Sequence, residues 1–200
     1  TTSRSTSTAY RHRTPSSARR GARSNGVTNG ESHHSVTCAS FLSSSQYLAT
    51  AGAVDGTVKV WDLRMFGTKI PPISTVQHQS RSGKRHHGIS SLSSNSTGSR
   101  FIVNCTDNAI YMYDSLYADR GPLKVLRGHE NSSFYIKSTF SPDDAYVLSG
   151  SGDKSAYIWE LHERADPAPI VLQGHHGEVS GVAWCGADIF KLATCSDDAT

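Results

Sequence analysis

Residues 129–159 hold a histidine, a serine and an aspartate, His129, Ser149 and Asp153, that could act as base, nucleophile and orienting acid, with Trp159 just beyond. Acyl transfer by such a set requires one activated serine beside one oriented base and an oxyanion hole. No Gly-x-Ser-x-Gly elbow singles out a serine, and the arrangement returns one repeat later with Gly174-His175 and Asp197. A recurring set is a framework rather than a reaction centre, so catalysis is not expected. The histidine pairs His33-His34, His86-His87 and His175-His176 would project to opposite faces of a strand and chelate poorly. With no Cys2His2 or His-Glu-x-x-His spacing and no phosphate-binding glycine loop, neither a metal nor a cofactor is expected.

Trp61-Asp62-Leu63-Arg64 offers a different chemistry. On a strand, Trp61 and Leu63 face one side while Asp62 and Arg64 face the other. At the strand's end, the planar guanidinium of Arg64 could make forked hydrogen bonds to a partner's carboxylates or carbonyls. The competing use is a local contact with Asp62, and the residues alone favour that local contact. The matching stretch, Trp159-Glu160-Leu161-His162, lacks the arginine.

These residues belong to four copies of one pattern. Each copy places an aspartate (Asp55, Asp107, Asp153, Asp197) after a short turn rich in glycine, serine or threonine, and in the complete copies an aromatic follows six residues later: Trp61, Tyr113, Trp159. The aspartates are 52, 46 and 44 positions apart, near the roughly 40–45-residue period of a WD40 propeller blade. The expected fold is all-β: a WD40 β-propeller segment with repeats over about 31–64, 88–114, 128–162 and 174–200, three full and the last partial. A ring needs about four to eight blades, so a segment of a longer protein is expected. In WD40 blades a histidine, serine, aspartate and tryptophan form a hydrogen-bond chain between strands. That structural role is expected for His129, Ser149, Asp153 and Trp159, for His175 and Asp197, and for Asp55 and Asp107. Alternation places strands over Val36 to Phe41, Tyr146 to Ser149 and, among others, Phe134 to Phe140.

The net charge of +3 conceals a division. Residues 1–30 carry Arg4, Arg11, Arg13, Arg19, Arg20 and Arg23 and no acidic side chain, leaving 14 basic and 17 acidic residues in the remainder. Such an arm has too little to bury to offset its chain entropy and is expected to be disordered. Its clusters around Arg11 and Arg13 and around Arg19, Arg20 and Arg23 fit a two-part nuclear import signal, and equally a solvated linker. No apolar run approaches the roughly 18 residues of a membrane span, so no membrane partner is expected. Cys38, Cys105, Cys185 and Cys195 form no CxxC pair and read as reduced intracellular thiols.

Beyond the generic repeat, the stretch from Ala51 to Arg64 resembles the denticleless family of WD40 proteins. So do Asn104-Cys-Thr-Asp-Asn-Ala-Ile-Tyr-Met-Tyr113, Gly128 to Ser138, Ser141-Pro-Asp-Asp144, Ala156-Tyr-Ile-Trp159 and Ala193 to Asp198. The family carries a lysine-rich insertion where this chain has its arginine-rich arm, a match of composition only. The resemblance implies a non-catalytic substrate receptor of a cullin-four RING ubiquitin ligase. Such a receptor docks on the ligase's damaged-DNA-binding adaptor and recruits proteins engaged with the replication sliding clamp. It also implies that Trp61, Asp62 and Arg64 form a WDxR adaptor-docking box, reversing the reading favoured by the residues alone, and that the protein is nuclear and chromatin-associated.

A general nuclear WD40 scaffold in a chromatin or RNA-processing complex is the competing expectation. Direct nucleic-acid binding by residues 1–30 is disfavoured, because only Tyr10 could stack on bases and the remainder of the chain is acidic.

Overall fold

The computed structural model describes residues 35–42, 46–65, 67, 70–77, 87–162 and 168–198. The arm at 1–30, with both import-signal clusters, lies outside the described residues.

Four antiparallel sheets follow one another along the chain, each a meander of strands adjacent in sequence. The first comprises β1 (Val36–Leu42), β2 (Tyr47–Gly52), β3 (Thr57–Asp62) and β4 (Ser74–Gln77). The second comprises β5 (Ile89–Ser94), β6 (Arg100–Cys105), β7 (Ala109–Asp114) and β8 (Lys124–Arg127). The third comprises β9 (Ser138–Phe140), β10 (Tyr146–Ser149), β11 (Ala156–Glu160) and β12 (Ile170–Leu172). The described part of the fourth is a pair, β13 (Val179–Trp184) and β14 (Leu192–Ser196). The first strands pack beside one another, β1 on β5, β5 on β9 and β9 on β13, which is the arrangement of consecutive propeller blades around an axis.

Side-chain alternation explains why these sheets stack. On β6, Phe101, Val103 and Cys105 point into a core shared with Leu42, Ala49, Val58 and Val60 of the first blade. Ile102, one residue out of step, joins Ile110, Met112 and Leu126 against Phe140, Val147, Tyr157 and Trp159 of the third. A strand buried on both faces reads as a continuous apolar run instead of an alternating one, and Phe101-Ile-Val103 is such a run. Tyr113 occupies the tryptophan position of the second blade and stacks on Phe101 with ring centroids 5.4 Å apart. The first strands of three blades each carry a register shift near their start, at Val36/Cys38, Ile89/Ser91 and Val179/Gly181. That recurring bulge turns the inner strand into the preceding loop.

The strand expected from Phe134 begins only at Ser138. Phe134 lies instead over Gly88, where a Cβ would sit 1.9 Å from the Ala53 carbonyl and 2.5 Å from the Phe134 ring. Only glycine leaves room for that crossing.

Candidate functional site

The histidine, serine and aspartate do not assemble a triad. His129 is 2% exposed, and its Nε2–H donates to Asn104 Oδ1 at 3.0 Å. Its Nδ1 has no hydrogen-bond partner among the described residues. Ser149 Oγ accepts from Asn104 Nδ2 at 3.1 Å and donates to the Gly150 carbonyl at 2.9 Å. Asp153 accepts from the Ser155 amide at 3.0 Å and from the Tyr157 hydroxyl. Trp159 Nε1 donates to the Arg127 carbonyl at 3.0 Å, and its ring meets His129 edge-on at 5.4 Å. The third-blade chain expected from the four residues is therefore divided. His129 and Ser149 are joined through Asn104 of the second blade, while Asp153 closes its own turn.

Asn104 is the residue that the sequence reading passed over. Its Oδ1 also accepts from Asn131 Nδ2 at 2.7 Å, and Asn131 Nδ2 reaches Ser90 Oγ at 2.8 Å. Two buried amides, Asn104 and Asn131, thus tie β5, β6, the 128–137 loop and β10 together. The signal that could have found it is spacing: Asn104, Ser149 and Thr194 are 45 residues apart, and Thr194 takes the corresponding bond from His175 Nε2 at 2.9 Å.

The same 45-residue step corrects Asp197. His175 Nδ1 and the His176 amide both reach Asp198 Oδ2, at 3.0 and 2.6 Å, while Asp197 is exposed. Asp198 stands four residues past Thr194, as Asp153 stands four past Ser149. In the second blade this position is Asn108, whose Oδ1 accepts the Asn131 amide at 2.7 Å. Asp107 instead accepts the Tyr111 hydroxyl at 2.5 Å, repeating the Asp153–Tyr157 pairing. Asp55 accepts the Thr57 amide at 3.1 Å and the Thr57 hydroxyl at 2.8 Å. Of the expected aspartates, Asp197 is thus one residue from the position that takes the histidine bond, whereas Asp107 keeps the tyrosine pairing of Asp153 and leaves the Asn131 amide to Asn108.

Burial drives the His129 imidazole down to about 4, against a weaker upward pull from Asp107 and Asp153. The folded state thus holds His129 neutral while the unfolded chain takes up a proton near the ordinary value of 6.5. Stability is full above about pH 6.5 and falls as pH drops toward 4, by up to about 3 kcal/mol from this group. Chemical denaturation of the full-length protein at pH 7 and pH 5 should show this loss, and His129→Gln should flatten it. An unchanged slope in the variant would show that other groups cause it.

The second constellation is compact. Trp61 Nε1 donates to Thr50 Oγ1 at 2.9 Å, which fixes the end of β3. Asp62, 8% exposed, accepts the Arg64 amide at 2.9 Å, closing a short turn, and then the side chain of Arg64 in a fork. Nε lies 2.9 Å from Oδ1 and Nη2 lies 2.6 Å from Oδ2. Nη2 also donates to the Tyr47 hydroxyl at 3.1 Å, and the guanidinium carbon sits 5.5 Å from the Tyr47 ring centroid. Tyr47 is the cross-strand partner of Asp62, so β2 and β3 jointly hold the arginine. The Arg64 side-chain and backbone hydrogen bonds pull the Asp62 carboxyl down to about 2, so the pair stays ionised at any physiological pH. Beside it, Leu48, Trp61, Leu63 and Met65 help to line an apolar cavity of about 250 Å³.

The second blade repeats the turn without the clasp: Asp114 Oδ1 accepts the Leu116 and Tyr117 amides at 2.9 and 3.1 Å. Arg64 therefore distinguishes the first blade, and its side chain remains 58% exposed.

Comparison with known proteins adds to this geometry. The family described as WD domain, G-beta repeat, matches residues 26–62, 120–160 and 169–200, skipping most of the second blade, where Tyr113 stands at the tryptophan position. The chain is 44% identical to the mouse (Mus musculus) Denticleless protein homolog over 94% of its own length and 26% of that protein. It is 46% identical to the chicken (Gallus gallus) homolog over 80% of its length and 22% of that protein. With the Drosophila melanogaster Protein lethal(2)denticleless the identity is 39%, covering 86% and 22%. The chain thus spans about a quarter of the relatives it matches. Among solved structures, a chain in the crystal structure of the mitotic checkpoint complex superposes with a TM-score of 0.65 at 22% identity, covering 83% of this chain and 45% of that one. At that identity the likeness concerns the fold alone.

Proposed function

Since the chain belongs to the denticleless family of WD40 proteins, we propose that it is part of a non-catalytic substrate receptor of a cullin-four RING ubiquitin ligase. Trp61, Asp62 and Arg64 form its docking box for the damaged-DNA-binding adaptor. Through the adaptor, the receptor delivers sliding-clamp-associated replication and cell-cycle proteins for ubiquitination, in the nucleus and on chromatin. The observation that carries this reading is the Asp62–Arg64 clasp: a fixed, exposed guanidinium at a blade end, present where the family's docking box falls and lacking from the equivalent turns of the second and third blades. Arginine presented in this way is a common anchor of protein interfaces.

Affinity purification of the full-length protein followed by mass spectrometry tests the reading. The adaptor and cullin should co-purify, and depletion of the protein should leave clamp-bound substrates undegraded during replication. Recovery of chromatin or RNA-processing subunits without the cullin would favour a general nuclear scaffold instead.

A further inference from the structure

A guanidinium has five N–H donors, and the clasp commits the edge that a carboxylate would normally take. Nε and Nη2 donate to Asp62, and Nη2 donates again to Tyr47. Among the described residues no hydrogen bond is made by Nη1. The charge is committed as well, because Asp62 sits against Arg64 at 2.6 Å and the pair is neutral as a unit. A carboxylate brought by a partner would lose its hydration to meet a cation already compensated, and would compete with Asp62 for the same fork. A carbonyl oxygen is far cheaper to desolvate and fits the two hydrogens of Nη1. Tyr47 bears on the same atoms: its hydroxyl accepts from Nη2 and the guanidinium carbon lies over its ring, so Arg64 is held by β2 as well as by Asp62.

We propose that the docking partner meets Arg64 with neutral carbonyl oxygens at Nη1, and that Tyr47 is a positioning residue of the docking site, holding the guanidinium in the orientation that presents Nη1. This rests on the docking reading above and adds to it the chemistry of the group recognised. Recognition by a neutral acceptor is geometric, so it is insensitive to salt and sensitive to anything that lets the guanidinium rotate.

The test is adaptor binding by the full-length protein and its Arg64→Ala, Tyr47→Phe and doubly substituted forms, between roughly 0.05 and 0.5 M salt, where screening of exposed charge pairs changes strongly. The factor lost on Arg64→Ala should agree within about twofold across that range, since a neutral contact has little Coulombic component to screen. Tyr47→Phe keeps the ring and the strand but frees Nη2, and should weaken binding by about three- to tenfold with an unchanged thermal midpoint. In the Arg64→Ala background it should do nothing further, an outcome that a purely structural role would not give. An Arg64→Ala penalty that shrinks by about fivefold or more at high salt would identify a partner carboxylate and overturn the neutral-acceptor assignment. Full affinity in Tyr47→Phe would remove Tyr47 from the site. Those failures differ from that of the docking reading itself, which would show as an Arg64→Ala variant that binds normally at every salt concentration.

Discussion

Replacing Asn104 by alanine should destabilise the propeller by about 3–5 kcal/mol, because a buried donor left unsatisfied costs about 1–3 kcal/mol and this side chain serves several. His129 Nε2–H and Asn131 Nδ2–H would lose their shared acceptor, and Ser149 Oγ its donor. All four residues are buried, so water does not readily replace the amide, and partly satisfied networks of this kind are costly in a low-dielectric interior. Asn104→Ser places the residue type of the third blade at this position and keeps one acceptor, so about half of the loss should be recovered. Urea unfolding of the full-length protein by tryptophan fluorescence is the measurement. Trp159, whose ring lies against His129, reports on this junction directly. A loss below about 1 kcal/mol for Asn104→Ala would mean that the network is rewired rather than broken.

How much of this was legible in the sequence depends on what kind of signal each feature leaves. The blades were legible because alternation and turn chemistry act within a few residues: Tyr146 to Ser149 is a strand as expected, and Val36 to Phe41 lies within β1. The non-strand stretch at 134–137 was not, since Phe134 packs over Gly88, nearly fifty residues earlier in the chain. For the hydrogen-bonded framework, residue type misled where spacing would have served. Asp197 has the right letter, but Asp198 has the right distance from the strand residue Thr194 and takes the His175 bond, and beside Asp107 it is Asn108 that accepts the Asn131 amide. A buried amide such as Asn104 resembles any polar strand residue until the neighbouring blade is placed against it. At the candidate docking box the sequence supplied Trp61, Asp62 and Arg64, but β3 ends at Asp62, and the turn closed by the Arg64 amide on the Asp62 carboxylate, not strand alternation, brings the last two together. The sequence could not supply Tyr47, whose relation to Asp62 is a matter of strand register.

The effect expected at Arg64 is of the opposite kind, large on binding and small on the fold. Asp153→Ala serves as the contrast: it strips acceptors from the Ser155 amide and the Tyr157 hydroxyl and should lower stability and binding together. Arg64 makes no contribution to the cores between blades, and Trp61 and Thr50 secure the end of β3 without it. Loss of an arginine anchor at an interface commonly weakens binding by roughly 30-fold or more, whereas exposed substitutions leave stability nearly unchanged.

The most direct measurement of the central claim is the affinity of full-length Arg64→Ala for the damaged-DNA-binding adaptor, taken beside its thermal midpoint. The account predicts a roughly 30-fold or greater loss of affinity with the midpoint within about 2 °C of the unsubstituted protein. An Arg64→Ala protein that folds equally well and binds the adaptor with undiminished affinity would contradict it.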